Sequence, residues 1–291
     1  MAMQPTLETL QTRYGRFTID RERDKKMAKA LAGDDYPNEK LLAVARAFVC
    51  AKDTVVDIGA HIGTFAVPAA KLAESVIAFE PSVSAAELLT RNAHDNAVSL
   101  SIIQKALGRK AGSGTLLVRN AANAGANTLV AGGDIPVTTL DTEVAHADFI
   151  KIDVEGMELE VLEGGAALIE RAHPTVFFEV NLSQLRAHGA SPRALERFFV
   201  KRGYRLYIPL PRRGGVLAHV RSATLLTACI APRAWFLFGE SAPFDLVAVP
   251  KGRELPLPYA GFAAALTDAV AHNLSVKVHR IRAFLHTLYE H

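Results

Sequence analysis

Residues 54–64 read Thr54-Val55-Val56-Asp57-Ile58-Gly59-Ala60-His61-Ile62-Gly63-Thr64. A β-branched apolar run stops at a glycine, a second glycine follows, and helical spacing then takes over from Ile62 to Leu72. A strand, a tight glycine turn and a helix, in that order, make a ligand-binding edge when the strand belongs to a parallel sheet. Gly59 is expected to let backbone approach a ligand, Gly63 to permit close helix packing, and the helix start to offer free N–H groups.

The glycines are spaced G-x-x-x-G, so the third glycine of a dinucleotide fingerprint is missing. Asp57 would repel a pyrophosphate; it suits a cofactor bearing an ammonium, such as the methionine part of S-adenosylmethionine. Working outward, Ser75 to Phe79 is a second apolar strand, and it ends at Glu80. A carboxylate at that place can accept both ribose hydroxyls of an adenosine. The competing reading is that Asp57 and Glu80 only cap turns, and it is weak for the two acids together.

The strand–helix alternation continues along the chain. Strands are expected at Leu100 to Leu107, Phe149 to Val154, Thr175 to Val180, Tyr204 to Ile208 and Phe244 to Val249. Helices are expected at Ser82 to Asp95, Met157 to Arg171 and Pro192 to Lys201. Strands this apolar are buried on both faces of a parallel sheet, with their C-terminal ends on one ligand-binding edge. The spacing predicts a helical segment over 1–50, a main domain over 51–250 with an insert at 211–243, and a helical tail over 251–291. Short β-like pieces, Thr115 to Val118 and Pro136 to Leu140, flank an Asn/Gly-rich loop.

The composition excludes several classes. Thirty-three basic residues against 30 acidic ones leave a net charge of +3, too small a surplus to argue for nucleic acid. Cys50 and Cys229 stand alone, so a zinc or redox motif is not expected and buried free thiols are. No signal core begins the sequence, and the apolar stretch from Ala223 to Phe238 is broken by Pro232 and Arg233. These features predict a cytoplasmic protein without stable membrane insertion. Trp235 reads as core or interface.

Asp57-Ile58-Gly59-Ala60, Phe79-Glu80-Pro81, Thr139-Leu140-Asp141 and Ile150-Lys151-Ile152-Asp153-Val154-Glu155-Gly156 occur in that order. The sequence resembles the FkbM-type methyltransferase family over about residues 36 to 208, with Asp245 to Pro250 similar to that family's last strand. The resemblance implies a Rossmann-like class I methyltransferase fold, with a mostly parallel seven-stranded sheet and an antiparallel last strand. It implies S-adenosyl-L-methionine as cofactor and O-methylation of a sugar, glycolipid or natural-product hydroxyl. It does not imply a metal. His61 stands where the family usually has Asn.

The cofactor set expected from these readings is Asp57, Gly59, Ala60, His61, Gly63, Thr64, Glu80 and Ala106. A hydroxyl nucleophile must lose its proton, so a carboxylate near the methyl group is expected. Asp153, Glu155 and Glu179 stand at strand ends on the ligand edge and are the candidates, weighed against helix-capping roles. Lys151 reads as a charge-neutralising partner. Asn123 and Asn127 in the loop and Asn181 after Glu179 are candidate contacts to a hydroxylated small molecule or glycan. Tyr36 and Glu39 could line a lid. Two rival readings are a nicotinamide-dependent oxidoreductase, which the missing glycine and Asp57 oppose, and a non-catalytic cofactor-binding module, which the three intact acids oppose.

Overall fold

The computed structural model describes residues 5–33, 36–117, 128–210, 216–220, 243–256 and 259–260. The chain opens with a hairpin, β1 (Leu7–Thr12) and β2 (Gly15–Asp20), then α1 (Lys25–Ala32) and α2 (Glu39–Phe48). The central units follow: β3 (Thr54–Ile58), α3 (Ala66–Ala69), β4 (Ser75–Phe79), α4 (Val83–Asp95) and β5 (Ser101–Ile103). A small sheet comes next, from β6 (Ala106–Leu107), β7 (Gly112–Leu117), β8 (Thr128–Ala131) and β9 (Ile135–Thr138). Then come α5 (Leu140–Glu143), β10 (Phe149–Ile152), α6 (Glu158–Gly164), α7 (Ala166–Ala172), β11 (Thr175–Val180), α8 (Leu182–Ala187) and α9 (Pro192–Lys201). The last elements are β12 (Tyr204–Leu210), β13 (Val216–Val220), β14 (Phe244–Pro250) and β15 (Tyr259–Ala260).

The main sheet runs in the order β15-β13-β12-β14-β11-β10-β3-β4-β5. Strands β11, β10, β3, β4 and β5 pair in parallel, and β14 is antiparallel to both β11 and β12. The expected seven-stranded core with an antiparallel last strand is therefore present, but β13 and β15 widen the sheet to nine strands among the described residues. After β3 the chain moves to β4 and β5 on one side, and it later returns to β10 and β11 on the other. The crevice of a doubly wound sheet opens where that order reverses, between β3 and β10.

Side-chain alternation divides each central strand between two cores. Val56, Ile58, Ile150, Ile152, Val176 and Phe178 pack beneath α5, α6, α7 and α9. Val55, Phe149, Phe177 and Val247 face α2, α3 and the N-terminal segment. Both sets are buried, and each such side chain contributes about 1.5–3 kcal/mol. Start signals hold the helices: Ser82 Oγ accepts from Ala85 N, and Ser191 Oγ accepts from Ala194 N just before Pro192.

Several expectations are corrected. The N-terminal segment is not helical throughout; it begins with the β1–β2 hairpin, where Phe17 to Asp20 are all buried. The helix expected over 62–72 shrinks to Ala66–Ala69, because His61 and Gly63 hold positive φ angles and keep the turn going. The strand expected over 100–107 breaks after Ile103, and its second piece, β6, joins the small sheet. The helix expected over 157–171 divides at Gly165, where an added Cβ would lie 2.6 Å from the Leu140 side chain. Cys50 is exposed, not buried. Cys229, Trp235, most of the 211–243 insert and most of the tail lie outside the described residues.

Candidate active-site cleft

A cleft of about 550 Å³ lies at the reversal point. Its floor is the turn after β3 and the ends of β4 and β10. One wall is the N-terminal segment, through Asp24, Met27, Asn38 and Lys40; the small sheet adds Leu116 and Leu129, which are cross-strand partners. The side toward β11 and β14 is lined by Glu179 and Asp245.

The turn is built from left-handed backbone: Gly59 has φ 77°, His61 φ 52° and Gly63 φ 88°. The glycine at 59 answers to protein, since a Cβ there would lie 1.9 Å from the Asp153 carbonyl oxygen. At 63 a Cβ would press on Leu89 of α4, the close packing expected. Three N–H groups of the turn itself are used within the protein. Gly59 N and Ala60 N both donate to Phe79 O (3.0 Å each), and His61 N donates to Glu80 Oε2 at 2.8 Å. Folding this turn over the end of β4 uses those donors within the protein.

Glu80 is 7% exposed and lines the cleft. Its second oxygen, Oε1, accepts from Ser82 N at 2.8 Å. Two backbone donors fix the carboxylate and leave half of its acceptor capacity for a ligand. Burial raises its pKa; a charge on His61 and the two N–H groups work the other way. Glu80 thus does cap the turn, and it does so inside the cleft.

Asp57 lies beneath the cleft. It is fully buried and does not line the cleft. It sits beside Lys151, its register partner on β10, with Lys151 Nζ 3.0 Å from Oδ1. The two form an ion pair, and the Ala66 N–H at the start of α3 also supports the Asp57 carboxylate. Lys151 Nζ donates to Gly59 O at 2.6 Å and lies 3.8 Å from Asp153 Oδ2. Burial would lower the Lys151 pKa, but Asp57 and Asp153 outweigh it and hold the amine charged. The charge-neutralising reading of Lys151 fits this arrangement.

Of the remaining cofactor candidates, Ala60, His61, Thr64 and Ala106 line the cleft, and Gly63 lies behind it. Thr64 Oγ1 accepts from Asn38 Nδ2 at 2.8 Å, and Thr64 O accepts from the buried Tyr36 hydroxyl at 2.7 Å. Tyr36 and Glu39 brace the turn and the hairpin and do not line the cleft; Glu39 accepts from the Tyr14 hydroxyl.

The three acids separate in character. Asp153 is exposed at the end of β10. Glu155 leaves the strand alternation in a left-handed conformation, φ 54°, and accepts a short hydrogen bond from Gln184 Nε2. Glu179 is the register partner of Asp245, so two carboxylates stand side by side. Lys40 reaches Asp245 from α2 with a short ion pair. Burial first, then Asp153, Asp245 and nearby glutamates, push the Glu179 pKa up to about 9.

Glu158 carries a role the sequence reading missed. It is 2% exposed and accepts from Gly156 N, and burial raises its pKa to about 7. It, rather than Glu155, serves the turn before α6. Asn181 does not line the cleft; its Oδ1 accepts from Ser183 Oγ. Asn123 and Asn127 lie outside the described residues. Among the described residues no group of three or more His, Cys, Asp or Glu could hold a metal ion, and no helix is long and apolar enough to cross a membrane.

A doubly wound sheet with an antiparallel strand between β11 and β12, and a cleft over the first glycine turn, defines a class I methyltransferase architecture. The chain belongs to the FkbM methyltransferase family: the model of the methyltransferase FkbM domain matches residues 57–206. No curated protein matches the chain. Solved structures similar to it include Trm5b from Pyrococcus abyssi, at 14% identity over 85% of this chain and 56% of that one, TM-score 0.44. Methyltransferase FkbM from Methylobacillus flagellatus KT shows 16% identity over 77% and 57%, TM-score 0.42. The M. jannaschii tRNA m1G37 methyltransferase shows 13% identity over 86% and 57%, TM-score 0.46. The chain spans a little over half the length of these three proteins.

Proposed function

We propose that this protein transfers the methyl group of S-adenosylmethionine to a hydroxyl of a sugar, glycolipid or natural-product small molecule. The observation that carries the cofactor assignment is Glu80, a buried carboxylate in the cleft whose two oxygens are each fixed by one backbone N–H. Such a group accepts a vicinal diol well, and the missing third glycine disfavours a pyrophosphate. Residues 51–250 are the catalytic domain in this reading, and the segment before it supplies a wall of the cleft.

The cofactor, when bound, supplies an electrophilic methyl group; the protein orients the partners and handles the proton. Glu80 holds the ribose, with Ala60, His61 and Thr64 around it. Asp153, exposed on the cleft at the strand end, takes the proton from the acceptor hydroxyl. Glu179, protonated at neutral pH in its acidic surroundings, donates a hydrogen bond to an acceptor oxygen. Glu155, fixed by Gln184, shapes the cleft wall.

Calorimetry with S-adenosylmethionine, S-adenosylhomocysteine and NAD tests the cofactor, and a methyl-transfer screen of sugars and hydroxylated metabolites tests the acceptor. Binding of both sulfur nucleosides and methylation at an acceptor oxygen are expected. Tight NAD binding without a response to either nucleoside would overturn the cofactor assignment. Methylation of bulk tRNA and of no hydroxylated metabolite would overturn the acceptor assignment.

A further inference from the structure

We propose that Asp24 is a positioning residue for the cofactor site: it anchors the His61 ring, and so holds the His61 N–H against the Glu80 carboxylate. The inference rests on the S-adenosylmethionine reading above. It makes the N-terminal segment part of the cofactor site, although that segment precedes the first strand of the sheet.

Three residues of the turn, 59, 61 and 63, have left-handed backbone. Glycine adopts that conformation at no steric cost, so Gly59 and Gly63 need nothing to hold them. His61 has a side chain and does need it. From this conformation its N–H reaches Glu80 Oε2 at 2.8 Å, one of the two donors that set the attitude of the carboxylate. What restrains His61 therefore restrains Glu80.

The restraint comes from outside the sheet. His61 Nε2 lies 3.1 Å from Asp24 Oδ2, with side-chain exposures of 15% and 4%. The two atoms meet at ion-pair distance without the alignment of a hydrogen bond, and the other ring nitrogen, Nδ1, is buried without a hydrogen-bond partner among the described residues, so the approach of Asp24 is the polar anchor of the ring. Asp24 is itself fixed. Its Oδ1 accepts from Met27 N at 3.1 Å and caps α1, and its own N donates to Asp20 O at 2.9 Å. Asp24 and Met27 line the cleft together with His61 and Glu80. Asp24 thus connects the start of α1, through one imidazole, to the carboxylate expected to take the ribose.

The capping role and the positioning role can be separated. Asparagine caps a helix as well as aspartate does, so Asp24→Asn keeps α1 while it removes the charge that faces His61. Asparagine also tolerates left-handed backbone, so His61→Asn keeps the turn while its shorter side chain loses Asp24. The full chain, wild type and variants, is titrated with S-adenosylhomocysteine by calorimetry and melted without ligand. Each single variant is expected to bind about five-fold more weakly with an unchanged melting temperature, and the double variant no more weakly than either single one, because both remove the same contact. A folded Asp24→Asn that binds like wild type would overturn the inference and leave the cofactor reading intact; so would losses that multiply in the double variant. If His61→Asn melts early, Asp24→Asn alone decides. A wild-type chain that fails to bind would overturn the cofactor reading, and this inference with it.

Discussion

Lys151 Nζ lies 3.0 Å from Asp57 Oδ1, and the two residues are direct register partners on β10 and β3. The strands that meet at the reversal point are thus joined by a buried ion pair just beneath the cleft. The same ammonium donates to Gly59 O, so the pair also fixes the start of the glycine turn.

Lys151→Met is expected to destabilise the fold by about 3 kcal/mol or more, because it leaves the Asp57 carboxylate buried without its counter-charge. Urea unfolding measures this. The double variant Asp57→Asn/Lys151→Met should recover part of the loss, since no lone charge then remains. A single variant as stable as wild type would mean that water or another cation reaches Asp57.

Gly59→Ala and Gly63→Ala should differ. Both force a side chain into left-handed backbone, at about 1–3 kcal/mol each. At 59 the new Cβ also meets the Asp153 carbonyl oxygen at 1.9 Å, a backbone atom that cannot move without β10. At 63 it meets the tip of Leu89, which can turn aside. Thermal melts should therefore show the larger loss for Gly59→Ala; equal losses would mean that β10 yields as easily as a leucine tip.

Glu80→Gln keeps the shape of the side chain and loses the charged acceptor. Hydrogen bonds to charged groups contribute about 1.5–3 kcal/mol, so affinity for S-adenosylhomocysteine should fall about ten-fold or more. Unchanged affinity in a folded variant would limit Glu80 to capping the turn.

Glu179 gives stability a pH dependence of definite sign. Its pKa rises on folding from 4.5 to about 9, so between those values the folded chain holds a proton that the unfolded chain has released. Stability is then full below about pH 4.5 and declines as pH rises through 9. Glu179→Gln is neutral throughout and lacks this decline. Between pH 6 and 9 the wild-type melting temperature should fall at least about 3 °C further than that of the variant. Parallel curves would show that Glu179 is ionised at neutral pH, and the hydrogen-bond donor role proposed for it would go.

Asp153→Asn should lower turnover on an accepted hydroxyl substrate by about 10²–10⁴-fold while S-adenosylhomocysteine affinity and melting temperature hold. Normal turnover in the folded variant would place the base elsewhere.

The glycine turn, the strand-ending Glu80 and the Lys151-Ile152-Asp153 block are legible in the sequence because they are local. A β-branched run that ends at glycine can be read within ten residues, and it predicts a sheet edge whatever packs around it. The hairpin was less legible: the outward strand β1 is mostly polar, and only Phe17 and Ile19 after Gly15 carry a period of two. Who faces whom was not legible. Asp57 stands where a ligand contact would stand, yet register with Lys151 turns it to the protein. Glu179 meets Asp245 at a sequence separation of 66, and Asp24 meets His61 at one of 37. Side-chain periodicity determines which face a residue takes, and the sequence carries it. Charge pairing depends on which strands and helices become neighbours, and that follows only from the closed tertiary packing.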